Sequence, residues 1–195
     1  MSKISRIKPK HEYLTGRLMH WKPQKLIQRI TSSPSIQSWL LTPGSLTQRI
    51  RQACPEMQVE ILSEAWQVPL RSEALALNLP IQDKAWIRCV MLKCGHQDWV
   101  YARTVIPNMS TENPWHSLQT LGDKPLGEVL FELKNLERSE FELSKQPMDS
   151  WPFPKERMPQ PESSTENICY ARRSLFRQQQ APLLLTEVFL PGMPG

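Results

Sequence analysis

Glycine is scarce, with seven in 195 residues, and none sits in a pattern that cradles phosphate. The nearest approach, "GDKPLGEV" with Gly122 and Gly127, lacks the Lys-Ser/Thr that must follow, which excludes a nucleotide loop. Histidine is scarcer still. His11, His20, His96 and His116 never fall at metal-ligand spacing with one another. The pair Cys94 and His96 lies in a turn and lacks two further ligands, so no metal is expected. No G-x-S-x-G occurs, which removes the usual serine-hydrolase arrangement. The amino-terminal stretch has no apolar run long enough for a signal peptide, and nowhere is there a run long enough for a membrane span, so the chain reads as cytoplasmic. Cysteine is limited to Cys54, Cys89, Cys94 and Cys169. Their wide spacing, in a chain large enough to fold without staples, predicts reduced thiols in the core or on the surface.

What is present is an ordinary globular balance, 39% hydrophobic and 22% charged, enough for one domain with a substantial core. The net charge of +5 is unevenly placed. Residues 1–30 carry Lys3, Arg6, Lys8, Lys10, Arg17, Lys22, Lys25 and Arg29 against Glu12 alone, a net of +7 that leaves about −2 for the rest. A nucleic-acid reader needs its charge along a folded face. Residues 1–34 are therefore read as a solvated basic extension, with no nucleic-acid partner expected, although Trp21 in the basic run keeps contact with anionic lipid or nucleic acid open.

"SIQSWLLTPGSLTQRIRQA", residues 35–53, predicts two short helices broken at Pro43-Gly44, the second with Leu46, Ile50 and Ala53 on one face and Ser45 or Thr47 as its cap. "QVEILSEAWQV", residues 58–68, predicts a strand with Glu60, Leu62, Glu64, Trp66 and Val68 on one side and Val59, Ile61 and Ala65 on the other. "AWIRCVMLKC", a turn at Gly95 to Asp98, and "WVYARTVIP" form the clearest hairpin. Residues 118–133 predict a turn around Gly122 and Pro125 feeding a short helix with Leu126, Val129, Leu130 and Leu133. The Pro-rich residues 145–166 cannot supply a strand or helix interior and read as an excursion between strands. "NICYARRSLFR" and "LLLTEVFLP" close with a second hairpin. The fold class is α+β, an antiparallel sheet with its helices collected on one side.

Two charges fall where such a sheet should be dry. Glu187 interrupts the apolar run "LLLTEVFLP", and a carboxylate there needs a partner, a task, or an edge position facing water. Arg88 shares a face with Trp86, Val90 and Leu92 by alternation. Its guanidinium needs an anion, which is either Glu187 or the carboxylate of a ligand. Arg103 on the partner strand carries the same ambiguity.

Several blocks in order, "WLLTPGSLTQR", "WIRCVML", "ARTVIP", "LQTLGDKPLGEVLF", "RRS" and "PLLLTEVFLP", resemble segments of the chorismate pyruvate-lyase family and cover most of residues 35–191. The resemblance implies a single α+β domain over 35–191, with a sheet of about six strands and helical flaps over a buried site. It implies conversion of chorismate to 4-hydroxybenzoate and pyruvate at the start of ubiquinone synthesis, without a cofactor. It also implies that Arg88 holds the ring carboxylate, that Glu187 meets the hydroxyl end, and that the main-chain amides of Leu46 and Leu126 help cradle the carboxylate. Leu46 stands where relatives commonly have Met, a change that a backbone contact survives. The Pro-rich segment 145–166 is longer than the family pattern and takes no role from it. A monomer is expected.

Chorismate loses its ether oxygen at C3 and a hydrogen at C4 to become aromatic, so the driving force is internal to the substrate. A protein need only orient it, stabilise the departing charge and manage a proton. Whether Glu187 carries that proton or only hydrogen-bonds the hydroxyl stays open. A non-catalytic sensor of aromatic carboxylates with the same type of sheet is the alternative, but residues 1–34 are too short for a winged helix-turn-helix.

Overall fold

Alternating, β-rich segments joined by tight turns pair with their neighbours, and here they build one antiparallel sheet. The computed structural model describes residues 19–153 and 168–194. Most of the basic extension, residues 1–18, and residues 154–167, which include most of the Pro-rich segment, lie outside the described residues.

In chain order the elements are β1 (Lys22–Pro23), a 3-10 segment (Gln24–Arg29), α1 (Pro34–Leu40), α2 (Leu46–Ala53), β2 (Gln58–Gln67), α3 (Arg71–Ala76), β3 (Ala85–Cys94) and β4 (Gln97–Ile106). There follow a 3-10 turn (His116–Thr120), α4 (Leu126–Glu132), β5 (Glu137–Arg138), β6 (Glu142–Pro147), a 3-10 turn (Met148–Ser150), β7 (Ile168–Gln178) and β8 (Ala181–Phe189). The eight strands run β1-β6-β7-β8-β4-β3-β2, with β5 also on β7. Six of them are long, as expected. The other two, β1 and β5, are two residues each, too short to leave a periodic trace in sequence.

Three of the four helices, α1, α2 and α4, form where predicted, whereas α3 forms in a segment for which the sequence predicts no helix. Ser33 caps α1, whose first residue is Pro34, and Ser45 caps α2 by accepting from Gln48 N at 3.3 Å. Both are the ordinary chemistry of helix starts. The β7–β8 turn places Gln179 and Gln180 at φ 49° and 68°, the backbone of a two-residue hairpin turn made without glycine.

One face of the sheet buries Trp86, Val90, Leu92, Val100, Ile106, Leu183 and Leu185 under Leu40, Leu46, Ile50, Leu118, Leu126 and Leu130. The flap elements α1, α2 and α4 therefore cover this face. Each such aliphatic side chain contributes about 1.5–3 kcal/mol when fully buried. The other face packs Ile87, Met91, Tyr101, Val105, Leu184 and Val188 against Leu77, Met148 and Trp151. The expectation that helices gather on one side is thus corrected: α3 lies on this second face, tied down by Glu73 and by the main chain of Ser72.

Two further expectations change. Residues 145–147 continue β6, and Met148 and Trp151 are buried, so the Pro-rich segment begins as packed structure. A strand ending in Pro is tolerated here because Pro147 is the last residue of the ladder. The end of the basic stretch is packed too. β1 pairs with β6, Trp21 meets Trp151 edge-on at 5.9 Å, and the Arg173 guanidinium lies 4.4 Å from the Trp21 ring.

Candidate functional site

Arg88 lies in the middle of β3 on the flap-covered face and is 2% exposed. It pairs with Glu64 on β2 and donates from Nη2 to Gly122 O at 2.6 Å. Strict alternation along β2 would put Glu64 on the other face, because Ile61 opposes Val90. A bulge between Ile61 and Ser63 adds one residue and brings Glu64 directly opposite Arg88. The same bulge separates Leu62 from Glu64, correcting the prediction that they share a side. Leu62 packs against the second core.

Glu187, 8% exposed, lies in the middle of β8. Its Oε2 accepts from Arg172 Nε at 2.6 Å, and the two residues are direct cross-strand partners. Arg172 also donates to Thr42 O at 2.9 Å and Leu40 O at 3.4 Å, so one guanidinium both orients Glu187 and holds the α1–α2 loop onto the sheet. Arg88 and Glu187 do not pair with each other. The registers Arg88↔Thr104↔Leu185 and Val90↔Ala102↔Glu187 place them on one face, two strands and two residues apart. Strand spacing makes that roughly 12 Å between Cα atoms.

The amides of Leu46 and Leu126 belong to the first turns of α2 and α4, and these two helix starts meet. A Cβ on Gly127 would stand 3.0 Å from Thr47 Oγ1 and 3.1 Å from Ser45 Oγ, so the approach is closer than a side chain at this position would have without its neighbours giving way. Leu46 and Leu126 are both buried. Gly122, which accepts from Arg88, belongs to the loop that leads into α4. Arg88 and the meeting helix starts are thereby joined through one short loop, and helix starts present unpaired N–H groups to an anion.

A sequence model of chorismate lyase matches residues 17–194. The "Probable chorismate pyruvate-lyase" of Hydrogenovibrio crunogenus is 48% identical over 185 residues, covering 94% of this chain and 97% of that one. The "Chorismate pyruvate-lyase" of Yersinia enterocolitica is 35% identical over 160 residues, covering 82% and 83%. The chain belongs to the chorismate lyase family. Among solved structures, the PhnF C-terminal domain superposes with a TM-score of 0.52 at 14% identity, covering 69% of this chain and 83% of that one, a likeness of fold.

In this member of the family the structure brings Arg88 and Glu187 to one covered face and gathers Leu46 and Leu126 at one seam of the flaps above it. Reasoning from sequence missed Glu64, because a bulge hides it from alternation. It also missed the part of Arg172, although "RRS" was among the family-like blocks and a charge at an inward β7 position was there to be found. Arg103, by contrast, points to the other face and is closed on Glu73 at 2.7 Å.

The cysteine expectation is also corrected, because Cys54 and Cys94 form a disulfide while Cys89 and Cys169 are free and buried. Sequence spacing cannot reveal a contact across 40 residues that arises only when α2 lies over the end of β3. Glu56 lies with these sulfurs inside a 4.8 Å cluster, but both sulfurs are consumed by the bond. Among the described residues no helix is long and apolar enough to cross a membrane.

Proposed function

We propose that this chain converts chorismate to 4-hydroxybenzoate and pyruvate. The observation that carries the reading is the placement of Arg88 and Glu187 on one covered face, roughly 12 Å apart by strand spacing and each with its own partner, so that the two bracket a single six-membered ring. Arg88 takes the ring carboxylate, helped by the amides of Leu46 and Leu126. Glu64, on the neighbouring strand, holds the guanidinium in place before substrate arrives. Glu187 faces C4. As the anionic half of a pair with Arg172 it accepts, whether from the C4 hydroxyl or by taking the C4 hydrogen as a proton.

The step balances without an added reagent. The C3–O bond breaks and its electron pair leaves on the enolpyruvate oxygen. The C4–H pair of electrons enters the ring as the proton departs, the ring becomes aromatic with its C4 hydroxyl retained, and the enolate takes up a proton to give pyruvate. Arg88 and Glu187 are 2% and 8% exposed, so α1, α2 and α4 must open to admit substrate and release product. The reading extends to a cytoplasmic, monomeric enzyme at the first committed step of ubiquinone biosynthesis, with residues 35–191 as its lyase domain.

The test is to incubate the purified full chain with chorismate and follow 4-hydroxybenzoate by absorbance and mass. Stoichiometric 4-hydroxybenzoate and pyruvate, unaffected by prior EDTA treatment, are expected. Tight 4-hydroxybenzoate binding without turnover would instead make the domain a sensor of aromatic carboxylates.

A further inference from the structure

Around Glu187 the cations outnumber the anions. Arg172 is paired with it, but Arg138 and Arg49 stand close by without a carboxylate among the described residues. Arg138, on β5, sits with its guanidinium 4.2 Å from the Phe141 ring and 5.2 Å from the Phe176 ring. The Arg172 guanidinium lies 4.5 Å from the same Phe141 ring, so the two charges are neighbours. Arg138 donates to two neutral oxygens, Ser174 Oγ at 3.2 Å and Pro43 O at 2.9 Å. Burial, and then repulsion from Arg172, push its pKa down to about 10, while Glu187 pulls the other way. Arg49, stacked 3.9 Å from the Trp39 ring, is lowered by burial and by Arg172 as well. A half-buried guanidinium with donors to spare and no carboxylate partner is arranged for an anion from outside.

The substrate class supplies that anion in the right place. Chorismate carries a second carboxylate on its enolpyruvyl ether. The ether is attached at C3, next to the C4 that Glu187 addresses. We infer that Arg138 binds the enolpyruvyl carboxylate, beside the Arg172–Glu187 pair and under the Pro43 loop. The inference rests on the proposed function and deepens it. When the C3–O bond breaks, the departing fragment gains a second negative charge next to Arg138, so the contact strengthens in the transition state and acts on kcat as well as KM. 4-Hydroxybenzoate lacks this carboxylate. Arg138 therefore separates substrate from product, whereas Arg88 serves both.

The experiment compares wild type with Arg138→Met and Arg138→Gln in the full chain. Steady-state turnover of chorismate is measured together with 4-hydroxybenzoate affinity by calorimetry. We expect kcat/KM to fall by about 30–300-fold, with product affinity unchanged to within about twofold. Arg138→Gln keeps an amide donor near the place of Nε, which donates to Ser174, while giving up the contact that Nη1 makes to Pro43 O, and is read in the same way if Arg138→Met fails to fold. A parallel loss of product affinity, or kcat/KM close to wild type in a folded variant, overturns the inference. Wild-type protein that does not convert chorismate overturns the proposed function itself, and the two failures are distinguishable.

Discussion

On the face of the sheet under α3, Arg103 is closed on Glu73 through two bonds, Nε to Oε1 at 2.7 Å and Nη2 to Oε2 at 3.2 Å. Oε2 also accepts from Leu70 N at 2.9 Å. Burial works against the charged guanidinium, but Glu73 and Cys89 outweigh it and raise its pKa, so the arginine is locked in its charged form. On the face under α1, α2 and α4, Arg49, Arg88, Arg138 and Arg172 share Glu64 and Glu187 among the described residues. A buried ion pair by itself is therefore no mark of a site, since both faces have one. A surplus of one sign of charge, held in place by neutral acceptors and aromatic rings, is the feature that distinguishes this face from the other.

The comparison breaks most severely if Arg103 proves dispensable. Arg103→Met leaves the Glu73 carboxylate, which is 3% exposed, without its cation. The expected cost is about 3–5 kcal/mol, a fall in Tm of about 10 °C or more. Affinity for 4-hydroxybenzoate, measured well below the new Tm, should stay at the wild-type value. Differential scanning calorimetry paired with binding titration checks both halves.

The covalent tie on the flap side comes next in size. The Cys54–Cys94 disulfide closes a 40-residue separation, which in the chain-entropy account is worth about 2–4 kcal/mol. Dithiothreitol, or Cys54→Ser, should lower the Tm accordingly and raise KM for chorismate, because α2 is the element released. Identical melting with and without reductant would show that α2 is held by packing alone.

The same contrast explains what could be read in advance. The two hairpins, the split of α1 from α2 at Pro43-Gly44 and the dry positions of Arg88 and Glu187 were legible, because each follows from local turn chemistry and a period of two. Glu64 was not, because its face depends on one extra residue in β2. The disulfide and the packing of Trp21 on Trp151 were not either, because they join segments distant in sequence. Arg172 and Arg138 lay hidden among other basic residues. Nothing local distinguishes an arginine that orients a glutamate from one that faces water.

Arg88→Met sharpens the comparison from the site side. Its partner Glu64 keeps 27% of its side chain exposed and can turn its charge to water. The stability cost should therefore be about 1 kcal/mol, far below that for Arg103. Binding should suffer instead: 4-hydroxybenzoate affinity is expected to fall by about 30–100-fold, the loss of a charge-assisted contact to its carboxylate. A large loss of Tm with intact product binding would make Arg88 a structural residue like Arg103.

The smallest effect is expected where α2 meets α4. Gly127→Ala adds a methyl 3.0 Å from Thr47 Oγ1 and 3.1 Å from Ser45 Oγ. Helix propensity favours Ala by roughly 0.5–1 kcal/mol. Against this, the two hydroxyls must give way by a few tenths of an ångström. Ser45 is not free to yield without loosening the cap it provides to Gln48 N, a contact worth about 0.5–2 kcal/mol. Thr47 is β-branched and confined at χ1. The opposing terms leave the Tm within about 3 °C of wild type, but the two helix starts are pushed apart. If the amides of Leu46 and Leu126 cradle a carboxylate, KM for chorismate and Kd for 4-hydroxybenzoate should both rise by about 3–10-fold. Adding Thr47→Ala removes the nearer hydroxyl and should restore most of that loss. Unchanged product affinity in Gly127→Ala, at unchanged Tm, would remove both amides from the site and leave carboxylate recognition to Arg88 alone.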